Sequence, residues 1–131
     1  MPDRYSTPLL LFIASFGPGL LESVYEVVLA YELKKKGVTA ERQKPMPILY
    51  DNIRFDEAFR SDMVVNEKVI AELKSVETLL PFHAKQRLTQ LRLSGLKLGL
   101  LINFEEAHLK NGIKRIINGT LDDENSFEVP L

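Results

Sequence analysis

The chain has 131 residues, 45% of them hydrophobic and 27% charged, which suits one compact domain and is too short for two. Its 17 Lys and Arg against 18 Asp and Glu give a formal net charge of -1, so no global positive field marks a nucleic-acid binder and any such site must be a local patch. Cysteine is absent and histidine occurs twice, which excludes disulfides, thiolate catalysis and cysteine-ligated metals but leaves hard, oxygen-ligated cations open.

Near the start, Leu9–Phe16 forms an apolar run, far shorter than the ~20 residues a membrane span requires. Arg4 ahead of it and the small pair Ala14-Ser15 suggest a signal peptide, but Asp3 and Pro8 fit that pattern poorly. Residues 1–16 therefore read as an apolar arm or helix packed on the core, and the expected location is the cytoplasm.

After Gly17-Pro18-Gly19, apolar residues at Leu20, Leu21, Val24, Val27, Val28, Tyr31 and Leu33 follow a helical period that Gly37 ends, which predicts a helix over Leu20–Lys36. Its last turn, Lys34-Lys35-Lys36, suits the negative end of the helix dipole. From Val38 to Ser75, short runs rich in Val and Ile are separated by Pro45, Pro47, Asp51-Asn52 and Asn66-Glu67. They predict strands at Val38–Lys44, Ile48–Tyr50, Phe59–Val65 and Lys68–Ser75, the last two as a hairpin. Pro81 opens a second helix that runs to Ser94 and stops at Gly95. Leu98–Phe104 is short and apolar throughout, as expected of a strand buried on both faces. Lys114–Asn118 reads as a final strand, and residues 119–131 as a polar tail. Helix, several strands, helix, buried strand is the order of an α/β domain with helices packed on a central sheet.

The informative stretch runs from Arg60 to Lys74. On a strand Glu72 and Lys74 point to one face, while Ala71 and Leu73 point to the other. Whether Asp62 joins them depends on the hairpin. A two-residue turn sets Asp62 opposite Ala71, whereas a three-residue loop or a bulge sets it opposite Glu72. Two carboxylates at a strand edge can bind Mg²⁺ or Mn²⁺, and a lysine beside them can orient or deprotonate a water or stabilise phosphoryl charge. An ordinary surface Glu–Lys pair is the competing reading of the same residues.

Asp62, nine intervening residues and then Glu72-Leu73-Lys74 resembles the PD-(D/E)XK nuclease pattern, with Ser61 in place of the proline. Upstream, Gly19-Leu20-Leu21-Glu22-Ser23-Val24-Tyr25 is similar to the signature of the GxxExxY protein family, a group similar to those nucleases. Phe59-Arg60-Ser61-Asp62, Val69–Lys74 and Gly95–Phe104 extend the likeness, which covers roughly residues 17–117. The resemblance implies a single domain, residues 17–118, with a three- or four-stranded central mixed β-sheet flanked by α-helices. It also implies metal-dependent hydrolysis of DNA or RNA phosphodiester bonds with Mg²⁺ or Mn²⁺ as cofactor. Glu22, Asp62 and Glu72 would then be metal ligands and, with Lys74, the catalytic set.

Glu22 lies on one helical face with Gly19 and Tyr25, with Glu26 beside it; an acid in a first helical turn also stabilises the dipole without any ligand. Tyr25 reads as a packing residue with its hydroxyl at the rim. On the second helix the resemblance gives Gln86 a place at substrate phosphate or metal water, and Lys85, Arg87 and Arg92 form a modest basic stripe that can track a phosphate backbone or simply be solvated. His83 reads as a solvated or capping residue. The chain departs from the family at Gln90, where an aromatic residue is common, at Glu105, where glycine is usual, and in its apolar start, where exposed Leu9–Ile13 equally suits self-association into a homo-oligomer. A noncatalytic nucleic-acid or protein binding module that keeps the nuclease fold is the alternative function, favoured by near-neutral charge and 8% aromatic content.

Overall fold

The computed structural model describes residues 12–13, 15–17, 19–106 and 109–119. Helix α1 spans Glu22–Lys35. It is followed by β1 (Ala40–Tyr50), β2 (Ile53–Val65), β3 (Val69–Lys74), α2 (Pro81–Ser94), β4 (Leu98–Asn103), a 3₁₀ turn at Leu109–Gly112 and β5 (Ile113–Ile117). The strands form one five-stranded sheet in the order β1-β2-β3-β4-β5, not the three or four strands the resemblance implies, because β5 adds an antiparallel edge to β4. Only β3 and β4 are parallel, and α2 is the crossover that joins them. The architecture is thus a single α/β domain with a mixed sheet between two helices.

Helix α1 ends where Gly37 adopts φ 76°. There the Gly37 N–H donates to Lys34 O and the Val38 N–H to Leu33 O, both at 3.0 Å, a Schellman-type stop that satisfies the last carbonyls. Helix α2 begins at Pro81 as expected, and the Leu80 N–H donates to His83 Nδ1 at 2.9 Å, so His83 is a capping residue. Alternation along β3 separates two cores. Val69, Ala71 and Leu73 pack with Tyr25, Leu29 and Leu33 of α1 on one face, and Ile70 packs with Leu91 of α2 on the other. Every residue of β4 is buried, as its apolar run predicts. At Gly99 α2 lies close against the sheet, because a Cβ there would meet Leu91 Cδ1 at 3.3 Å. Ile13 joins the α1 core fully buried; residues 1–11 of the expected arm and 120–131 of the tail lie outside the described residues.

The sequence reading places two strands, Val38–Lys44 and Ile48–Tyr50, either side of Pro45 and Pro47, whereas β1 runs unbroken from Ala40 to Tyr50. It is an edge strand, the place in a sheet where a residue without an N–H is tolerated. Pro47 also falls where the β1–β2 register shifts, between Met46 and Ile48. The far halves of β1 and β2 extend past β3, which pairs only with Met63, Val64 and Val65.

Candidate functional site

The β2–β3 connection decides the face of Asp62. Val65 pairs with Val69, leaving Asn66, Glu67 and Lys68 as a three-residue loop. Asn66 and Glu67 take φ 53° and 57° in it. An odd loop aligns Asp62 with Glu72, the alternative that brings the two acids together. Backbone pairing stops one step earlier, at Met63 and Ala71. Beyond that point Asp62 occupies the fork between the strands, and its Oδ2 accepts the Leu73 N–H at 3.3 Å.

Glu72 sits on the α2 side and is buried at 7% exposure. Its carboxyl is pushed up from 4.5 to about 7, first by burial and next by the negative charge of Asp62. Arg87 opposes this. Its Nη1 lies 2.5 Å from Glu72 Oε2, yet the contact is an ion pair without hydrogen-bond alignment, since Oε2 and Arg87 Nε are both buried with no hydrogen-bond partner. Arg87 is itself buried, which corrects its place on the exposed basic stripe: residues 85 and 87 point to opposite sides of a helix, and Arg87 takes the sheet side. Lys85 and Arg92 are exposed, as is Gln86, whose Oε1 accepts from Arg87 Nη2 at 3.3 Å. Lys74 follows Glu72 on the same face of β3, half-buried, with its Nζ making no hydrogen bond or ion pair among the described residues.

Glu22 stands apart from this pair. Its Oε1 accepts the Ser75 N–H at 3.1 Å, so the start of α1 is fastened to the residue after Lys74. Among the described residues no three acids or histidines converge closely enough to hold a metal ion; Asp62 and Glu72 come together without Glu22. Around Ser75 lies an open groove of about 480 Å³ lined by Gly19, Leu20, Leu21, Glu22, Ser23 and Glu105. Glu105, the departure from the expected glycine, ties this groove together. Its Oε1 accepts the Ser75 hydroxyl at 2.7 Å and the Gly19 N–H at 2.9 Å, and these bonds hold its carboxyl below the ordinary value. Tyr25 is fully buried and stacks on Phe104 at 4.3 Å, while its hydroxyl donates to Gly17 O.

Sequence reasoning missed two contributors. Asn103 is fully buried at the end of β4. Its Oδ1 accepts the Val76 N–H at 3.1 Å and its Nδ2 donates to Val76 O at 2.8 Å, which fixes the chain leaving Lys74. Gln43 on β1 donates through Nε2 to both oxygens of Glu26 at 3.2 Å and to Asp62 Oδ1 at 3.5 Å, while Arg42 Nε donates to Glu26 Oε1 at 3.1 Å. Asn103 carried a signal as the polar end of an apolar strand. Gln43 carried none, because nothing in its neighbours announces its backbone conformation.

The carboxylates suit a hard divalent cation. A buried acid and a half-buried one meet at the fork, with Arg87 as the only counter-ion there among the described residues, and positive charge placed between them would offset both burial and mutual repulsion. No curated protein and no solved structure matches the chain. The family model described as the PD-(D/E)XK nuclease superfamily matches residues 11–116, from within the apolar start into β5, and takes in the Asp62–Glu72–Lys74 edge, so the chain belongs to the PD-(D/E)XK nuclease superfamily.

Proposed function

We propose that this chain is a Mg²⁺- or Mn²⁺-dependent nuclease of the GxxExxY group, hydrolysing DNA or RNA phosphodiester bonds in the cytoplasm. The observation that carries the reading is the meeting of Asp62 and Glu72 at the β2–β3 fork, with Lys74, unpaired among the described residues, next along the same face. Asp62 and Glu72 would hold the cation. When bound, it would lower the pKa of an attacking water and stabilise charge on the phosphoryl oxygens.

Lys74, without an acid partner among the described residues, holds or moves the proton of that water and faces the negative charge that builds on the phosphoryl group. Glu22, fastened to Ser75 one residue past Lys74, acts from the outer side of the site through water rather than as a direct ligand. Gln86 and Lys85, exposed on α2, contact the substrate backbone. Arg87, seated on Glu72, acts as counter-ion to a metal ligand instead of as a phosphate contact. No helix among the described residues is long and apolar enough to cross a membrane.

One observation favours the noncatalytic binding module as a second reading: Arg87 already supplies positive charge to Glu72. Cleavage separates the two. A mixed panel of single- and double-stranded DNA and RNA should be cut with Mn²⁺ and left intact with chelator. Lys74→Ala should abolish cutting with Mn²⁺ affinity retained, and Asp62→Ala should abolish both. Wild-type protein that cuts nothing but binds nucleic acid equally well in all three forms supports the second reading.

A further inference from the structure

The β1–β2 ladder holds one register at Arg42 with Met63 and at Lys44 with Ser61, and it skips the pair between them, Gln43 and Asp62. Gln43 has φ 49° inside an otherwise extended strand. A glutamine takes up that left-handed conformation only where its surroundings over-determine it. Here they do so from two sides. Arg60 Nη1 donates to Gln43 O at 3.1 Å, and Arg60 is held in turn by Glu57, which accepts from its Nε at 3.1 Å. The flipped backbone aims the Gln43 amide inward, where a single nitrogen reaches Glu26 on α1 and Asp62 at the fork.

We propose that Gln43 is a positioning residue that fixes the Asp62 carboxylate for cation binding; the proposal rests on the reading of Asp62 and Glu72 as ligands. Asp62 Oδ1 is tethered to Gln43 and Oδ2 to the Leu73 N–H, so two donors from different strands set its rotamer against Glu72. The chemistry explains why an amide stands there. The Gln43 Nε2 carries two hydrogens and no charge, so it can bridge two acids without neutralising Asp62, whereas a lysine or arginine would compete with the cation. Glu26 takes its own countercharge from Arg42, which leaves the amide to act as a strut.

Gln43→Gly and Gln43→Asn test this. Glycine adopts positive φ freely, and asparagine tolerates it best among the other residues, so both variants keep the backbone. One has no amide and the other carries it one methylene short. Three readouts apply to the full chain: melting temperature, exchange of the Leu73 amide followed by NMR in metal-free protein, and Mn²⁺ affinity by calorimetry. Both variants should melt within a few degrees of wild type, exchange Leu73 on the order of tenfold faster, and bind Mn²⁺ about tenfold more weakly, the usual size of a second-layer effect on a metal. Leu73 exchange or Mn²⁺ affinity unchanged in both variants overturns the proposal. Faster Leu73 exchange together with no Mn²⁺ binding by the wild type supports the tether on Asp62 and overturns the metal reading instead.

Discussion

Glu72→Gln tests the electrostatics of the fork, because the amide mimics the protonated acid at nearly constant volume. In the metal-free fold Glu72 titrates near 7 instead of 4.5. Below about pH 4.5 both folded and unfolded chains carry the proton. Between there and about 7 the unfolded chain loses it while the folded chain keeps it, so stability falls as pH rises and levels off once both are ionised. The shift corresponds to about 3 kcal/mol. Urea denaturation in chelator, repeated from pH 4.5 to 8.5, measures it as the difference between wild type and variant, in which the titrations of groups not coupled to Glu72 cancel. Wild type and Glu72→Gln should be of similar stability near pH 4.5, and the variant should gain about 3 kcal/mol relative to wild type by pH 8. The Arg87 ion pair at 2.5 Å pulls the other way. If the variant loses ground above pH 7, or the difference is flat, that pair outweighs burial and Asp62, and the reasoning fails.

Lys74→Arg should not restore the cleavage lost in Lys74→Ala, since a guanidinium stays protonated and is shaped for bidentate contacts; a cleavage assay with Mn²⁺ checks this, and substantial rescue would show that the lysine acts only as a point charge. Asn103→Ala leaves the Val76 backbone groups and the Glu105 N–H, which Asn103 Oδ1 accepts at 3.3 Å, without their buried partner. It should cost about 3 kcal/mol in urea denaturation. Gly99→Ala sets a methyl at 3.3 Å from Leu91, tighter than ordinary contact, and should lower stability by about 1 kcal/mol in the same assay.

The sequence carried the elements whose punctuation is chemical. Pro81 and Gly95 bound α2 at Pro81–Ser94 as expected, because a ring without an N–H and a residue free to adopt φ 76° fix the two ends. Prolines misled in β1, since they punctuate interior strands and are tolerated on an edge. The strand motif placed Glu72 and Lys74 on one face, but the parity that brings Asp62 to Glu72 lay in the length of the 66–68 loop, which composition leaves open. Arg87 was misplaced for a related reason: a run of charges on a helix says nothing about which one turns to the sheet, and only the buried Glu72 opposite it decides. Gln43 was invisible because its role follows from a positive φ inside a strand, which long-range contacts impose. Glu105 was noticed as an oddity, and its hydrogen bonds to Ser75 and Gly19 give it a purpose that a glycine lacks.

The most direct test of the Asp62–Glu72 fork as a metal centre is a calorimetric titration of the full chain with Mn²⁺ at pH 8, above the value of about 7 to which Glu72 is pushed, alongside Asp62→Asn. The wild type should bind the ion with measurable heat, and Asp62→Asn, which loses an anionic ligand, should bind it at least tenfold more weakly. A wild type that takes up no Mn²⁺ at millimolar concentration, or an Asp62→Asn variant that binds it equally well, would contradict the account.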